Sequence, residues 1–271
     1  MAEASENLQK TLVVRKPCYG LPTGCPQCLS AYIYLKFARV PFSLDFQLNY
    51  PDSDTIPYFE AGDYVSYNNE KDGIIGSLKK EVVDIDTGVF STDWIPIKVM
   101  LTTWVADALA YELWVGGDSS SVYNIYYSGL PWPIGRVLFL KQAQLLKLKH
   151  GITNDNVALK EEEIYSRAKS AFDALSTLLG EQNYLFENRP SSLDAIFLAH
   201  SLVILEALPE TSELRIKLLE HDNLVRYAQR YKTELIEADT FPSSVPPFHA
   251  DASSSAPRGF SNWSKILSGS W

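Results

Sequence analysis

The chain has 271 residues, 46% of them hydrophobic and six of them Trp, enough to fill the core of one large domain or two small ones. Its formal net charge of −9 excludes a general nucleic-acid binder, which needs clustered Lys and Arg against phosphate. Cys18, Cys25 and Cys28 fall within eleven residues, too few and too local for a secreted disulfide framework, and point to a reducing compartment.

Residues 1–10 carry Glu3 and Glu6, no apolar run and no Arg, so they read as an N-terminal tail unlike a secretory signal or a presequence. A β-branched run at 11–15 predicts a strand, and 26–38 a helix with Leu29, Ile33, Tyr34 and Phe37 on one face. Phe42, Leu44 and Phe46 alternate as a second strand; 58–61 and 64–67 flank a Gly62-Asp63 turn as a hairpin. Ile74, Ile75, Leu78 and Val82 then form a helical stripe. The order β-α-β-β-β-α is that of a thioredoxin-like domain over residues 11–83, and Ile56-Pro57 stands where that fold carries a cis-proline.

Residues 84–93 are polar, contain Gly88 and read as a linker. The rest, to residue 237, is predicted helical. One helix covers 94–115, with Pro96 in its first turn and Gly116-Gly117 at its end. Residues 118–133, rich in Ser and Tyr, read as a loop, after which Pro131 and Pro133 lead into a helix stopped by Gly151. A third helix aligns Ile164, Ala168, Ala171, Phe172, Leu175, Leu178 and Leu179 and ends at Gly180.

From Leu193 to Leu208, twelve of sixteen residues are apolar, and Asp194, His200, Ser201 and Glu206 point in different directions at about 100° per residue. No face is left for water, and sixteen residues with four polar groups are too short and too polar to span a bilayer, so this is the core helix. Ser191 as N-cap and Asp194 three residues on form a capping box, and Pro209 stops the helix. A short helical turn at 214–219 precedes a last helix at 223–236, with Leu224, Tyr227, Ala228, Tyr231 and Leu235 inward. Residues 238–271 turn to Ser, Pro, Gly and Ala, a flexible tail by composition. Within it, Phe260, Trp263, Ile266, Leu267 and Trp271 recur at spacings of three and four, one apolar face of a short docking segment over 260–271.

The capping box followed by an all-apolar helix resembles the C-terminal domain of glutathione-transferase-like proteins. YLFENRPSSLDA, YSGLPWPIG and HDNLVRYAQRY narrow the resemblance, over residues 11–237, to the metaxin family and its plant members in particular. It implies a thioredoxin-like N-terminal domain (α/β) followed by an all-α transferase-like domain over 94–237. It further implies a non-enzymatic subunit of the mitochondrial outer-membrane sorting and assembly machinery, on the cytosolic face, serving as a scaffold in the import and insertion of β-barrel proteins. Its partners would be the β-barrel insertase, other subunits of that complex and precursor proteins. Members of that family usually end in a membrane-spanning segment; no run of eighteen apolar residues occurs here, so the chain as given is expected to be peripheral.

The sharpest chemical signal is Cys25-Pro26-Gln27-Cys28 at the start of a helix, where thiolate is favoured and dithiol exchange is feasible. The plainer reading makes Cys25 an N-cap-region residue, Pro26 the first helical residue and Cys28 a half-buried core residue. A glutathione-dependent thiol transferase using Cys25 is therefore the rival function, and a soluble scaffold in a cytosolic assembly a third. Against glutathione, only ten residues, 47–56, precede Pro57 where glutathione-using relatives place a helix that walls the site. Glu70-Lys71 stands where those relatives have Glu-Ser. His150, His200, His221 and His249 show no metal-ligand spacing, so neither metal nor cofactor is expected. One electrostatic feature stands out: no acid lies between Asp118 and Asp155, while Trp132, Arg136, Lys141, Lys147, Lys149 and His150 fall within that span. This basic helix is a candidate contact for an acidic partner or lipid, with stabilisation of a helix C-terminus as the alternative reading.

Overall fold

In the computed structural model, which describes residues 9–48, 53–88, 91–186 and 189–237, β1 (Lys10–Val14) is an inner strand of a mixed sheet of order β2-β1-β3-β4. Leu12, Val13 and Val14 are buried, as a strand covered on both faces requires. β2 (Ser43–Phe46) runs parallel to β1, so the connection between them must cross over, and α1 (Pro26–Phe37) makes that crossover. β3 (Tyr58–Ala61) and β4 (Tyr64–Tyr67) form the hairpin, with Leu12 of β1 opposite Phe59 of β3. The Ile56-Pro57 peptide is cis, and α2 (Gly73–Glu81) closes the thioredoxin-like order.

Two predicted features change in this half. The single face assigned to α1 understates its burial: Cys28 through Leu35 are all buried, because the helix shares a core with Leu12, Val14 and Phe59 of the sheet and packs along the helix α7 (Ser192–Ala207). The expected linker is also anchored among its described residues. Asp86 Oδ1 accepts a hydrogen bond from the Ser192 amide at 2.7 Å and Oδ2 one from its hydroxyl at 2.6 Å, while pairing with Lys79. An acidic group is favourable at the start of a helix, here α7.

The helical half starts with α3, which runs without a break over residues 94–116 and includes π-helical turns at Met100–Val105 and Glu112–Gly116. The loop expected over 118–133 contains a helix, α4, at 120–127. Aromatic packing supplies what the Ser- and Tyr-rich sequence did not advertise. Tyr123, Tyr126 and Tyr127 form a ring cluster with Trp114 of α3 and Phe139 of the next helix, at centroid distances of 5.2 to 6.0 Å. α5 (Trp132–Lys149) packs on α3 and α4, and α6 (Val157–Leu179), α8 (Glu213–Leu219) and α9, at 222–237 with a π-helical last turn, complete the helical half with α7 (Ser192–Ala207).

α7 is the buried centre that its sequence predicts, with only Ile196 and Glu206 partly exposed. Its start is the expected capping box: the Asp194 amide donates to Ser191 Oγ at 3.3 Å, and the Ser191 amide donates to Asp194 Oδ2 at 2.9 Å. Asp194 does more than cap. Its Oδ1 also accepts the Leu185 amide at 2.8 Å and the Tyr227 hydroxyl, tying the preceding loop and α9 to the core helix. Burial raises its pKa although each of these bonds favours the charged form. None of the described helices is long and apolar enough to cross a membrane.

Candidate functional site

The thiol pair lies at the junction of β1, α1, the cis-proline turn and α4. Cys25 is the N-cap of α1 with Pro26 as first helical residue, and Cys28 follows one turn on; both are 0% exposed, so Cys28 is a full core residue rather than a half-buried one. Arg15, next after β1 and 7% exposed, reaches across to them. Its Nη1 lies 3.1 Å from Cys25 Sγ, 3.6 Å from Cys28 Sγ and 3.2 Å from the Ile56 carbonyl, while Nη2 donates to the Ser53 carbonyl at 2.9 Å. Tyr126 of α4 covers the other side, its ring 4.9 Å from the guanidinium carbon and its hydroxyl hydrogen-bonded to Cys25.

The two thiols are driven apart electrostatically. Burial alone would raise Cys25, but the hydrogen bond from Cys28 and the charge of Arg15 overcome it and hold Cys25 well below the ordinary thiol range. Cys28 moves the other way, raised by burial and by its bond to Cys25. The result is a thiolate-favouring sulfur with a built-in counterion. An attacking thiolate must also meet its substrate, and no part of Cys25 is open to solvent.

Ahead of α2, Glu70 bonds within the chain. Glu70 Oε1 accepts the Tyr67 amide and Oε2 the Ser77 hydroxyl, each at 2.9 Å, so this carboxylate ties β4 to the first turn of α2. These bonds hold its pKa below the ordinary carboxylate value. Lys71 beside it is exposed, and the described residues of the short 47–56 segment contain no helix. Among the described residues no group of three or more His, Cys, Asp or Glu is placed to hold a metal.

α5 forms a second candidate site of a different kind. Gly135, Ala143 and Leu146 face inward, with Gly135 against Tyr127 and Tyr123. Arg136 and Lys141 are exposed and Lys147 is half-buried, and among the described residues no acid pairs with any of the three. Lys149 is different: its Nζ binds Asp107 Oδ1 of α3 at 2.8 Å, and His150 Nε2 lies 3.6 Å from the same oxygen. Those two contacts tie α5 to α3. Trp132 is 76% exposed, and Phe260, Trp263, Ile266, Leu267 and Trp271 lie outside the described residues.

Sequence reading missed Arg15 and Tyr126 as partners of the thiols, and it missed that α5 exposes apolar side chains between its cations. The latter was accessible in principle, since Ile134, Val137, Lys141, Leu145 and Leu148 share one side of a helix at 100° per residue.

A thioredoxin-like sheet, a helical half centred on a capped all-apolar helix and a thiol-bearing helix start define a glutathione-transferase-like protein. The family model for the glutathione S-transferase N-terminal domain matches residues 26–119, and that for the C-terminal domain matches residues 168–231. Two glutathione S-transferase structures share the fold with TM-scores of 0.50: one from Methylobacterium radiotolerans is 15% identical and covers 89% of this chain and 98% of its own, and transferase III is 12% identical and covers 87% and 99%. The Arabidopsis thaliana "Mitochondrial outer membrane import complex protein METAXIN" is 54% identical over 246 residues, 90% of this chain and 78% of its own. Mouse Metaxin-1 is 25% identical over 77% of this chain and 69% of its own, and mouse Metaxin-2 24% over 77% and 81%. The chain belongs to the metaxin family.

Proposed function

We propose that this protein is a non-enzymatic subunit of the mitochondrial outer-membrane sorting and assembly machinery. It acts on the cytosolic face as a scaffold for the import and insertion of β-barrel proteins, in contact with the insertase and its companion subunits. The name carried by the Arabidopsis thaliana relative, an import complex protein of that membrane, supports the setting. The observation that carries the scaffold reading is the closure of the thiol site: Cys25 and Cys28 are sealed under Arg15 and Tyr126.

One observation favours the rival. The depressed pKa of Cys25 is what a glutathione-dependent thiol transferase uses, and Arg15 supplies the charge that depresses it. The zero exposure of both sulfurs opposes that reading, because dithiol exchange needs in-line access to sulfur. Calorimetric titration of the full chain with glutathione, run beside crosslinking in mildly solubilised mitochondria, separates the two. The expected result is no heat of binding at millimolar glutathione and crosslinks to the β-barrel insertase. Millimolar-or-tighter binding accompanied by turnover of a disulfide substrate would overturn the proposal.

A further inference from the structure

α5 turns an apolar side to solvent. Val137 and Leu148 are 65% and 68% exposed, Ile134 and Leu145 about half, and with Lys141 they fall within a sector of about 80° directly opposite the buried Gly135, Ala143 and Leu146. Trp132, 76% exposed, stands at the N-terminal end of the helix on the side away from this strip. A row of large apolar groups on a projecting helix, about 27 Å long at 1.5 Å per residue, marks a contact surface rather than scattered exposure.

We propose that α5 is a membrane-docking helix that lies in the plane of an anionic lipid bilayer, with its apolar strip among the upper acyl chains and its cations on the headgroup phosphates. This deepens the scaffold reading by naming what one face of the protein meets, and it rests on that reading only for placing the chain beside a membrane.

Three features favour a bilayer over a protein groove or a second copy. The charges on α5 are all positive: Arg136 and Lys147 line one flank, Lys141 sits within the strip, and Lys149 pairs with Asp107 of α3. A helix that pairs with another helix generally carries both signs along its flanks, whereas a uniformly cationic border suits anionic headgroups. The 36-residue absence of acids over 119–154 interrupts a chain of net charge −9, so an anionic surface repels the rest of the molecule and attracts this face, which orients the approach. Lys141 has the stem length to keep its ammonium at the headgroups while its carbons lie in the strip.

The test is co-sedimentation of the full chain with vesicles of phosphatidylcholine alone or with one-third phosphatidylserine, at low and high salt. Binding is expected only to the anionic vesicles and is expected to weaken with salt. Each cation near such a surface is worth about a fivefold change in affinity, so R136E/K141E should lose about 25-fold or more. V137E/L148E should lose at least about tenfold, and since all four side chains are exposed, both variants should keep the parent's circular dichroism and melting temperature. No binding to anionic vesicles at low salt would overturn the proposal. So would loss, in V137E/L148E, of insertase crosslinks or of self-association with vesicle binding intact, since the strip would then be a protein contact. The vesicles contain no import subunit, so failure here leaves the crosslinking result, and with it the scaffold reading, standing separately.

Discussion

Arg15 is the residue on which the thiol site turns. Its guanidinium is buried, donates to the Ile56 and Ser53 carbonyls and faces both sulfurs, so removing it leaves acceptors stranded and a thiolate without its counterion. Arg15→Met is expected to cost about 2–4 kcal/mol in urea unfolding and to raise the pKa of Cys25, read from the pH dependence of thiolate ultraviolet absorbance in the folded protein. His200, inside α7, gives a pH-dependent signature. Its Nδ1 lies 2.7 Å from the Ile196 carbonyl, and burial lowers its pKa below the ordinary 6.5. A base with a depressed folded pKa contributes stability that is present above its unfolded value and lost as pH falls through the folded one. Unfolding free energy should therefore decline as pH drops below about 6.5, and His200→Gln should flatten that part of the slope. An identical slope in the variant would place the effect elsewhere. Asp194, whose pKa is raised, acts with the opposite sign, so the difference between parent and variant, not the raw slope, is the measurement.

At the scale of elements, the signals that were legible are those whose partners lie close in sequence. Ser191 and Asp194 are three residues apart, and their capping box stands as predicted; the hairpin around Gly62-Asp63 and the order of strands and helices in the sheet half are local in the same sense. What escaped depends on distant partners. α4 reads as loop because Tyr123 and Tyr127 find their packing on Trp114 and Phe139 of two other helices. Arg15 reads as a strand-end charge because its carbonyl partners are 38 and 41 residues away. The capping box itself yields a graded prediction. Ser191→Ala removes one cap acceptor and should cost about 1–2 kcal/mol. Asp194→Ala also strands the Leu185 amide and the Tyr227 hydroxyl and should cost about 3 kcal/mol or more, both read from denaturant midpoints at constant m. Equal losses would mean that Asp194 acts only as a cap.

For the whole molecule, a transferase fold carries its thiol pair buried beneath its own side chains, Arg15 and Tyr126. The outer side of α5 keeps cations and apolar groups facing solvent. On the proposed scaffold role binding belongs to surfaces and the thiols are structural, so function should survive their replacement. The most direct measurement is insertion of a labelled β-barrel precursor into mitochondria depleted of this protein and then supplied with either the parent or C25S/C28A. The expected result is that depletion slows insertion and that both forms restore it equally. Unimpaired insertion after depletion would contradict the scaffold role. Rescue by the parent alone, with the variant folded and equally abundant, would contradict the thiols' dispensability and return Cys25 to the centre of the function.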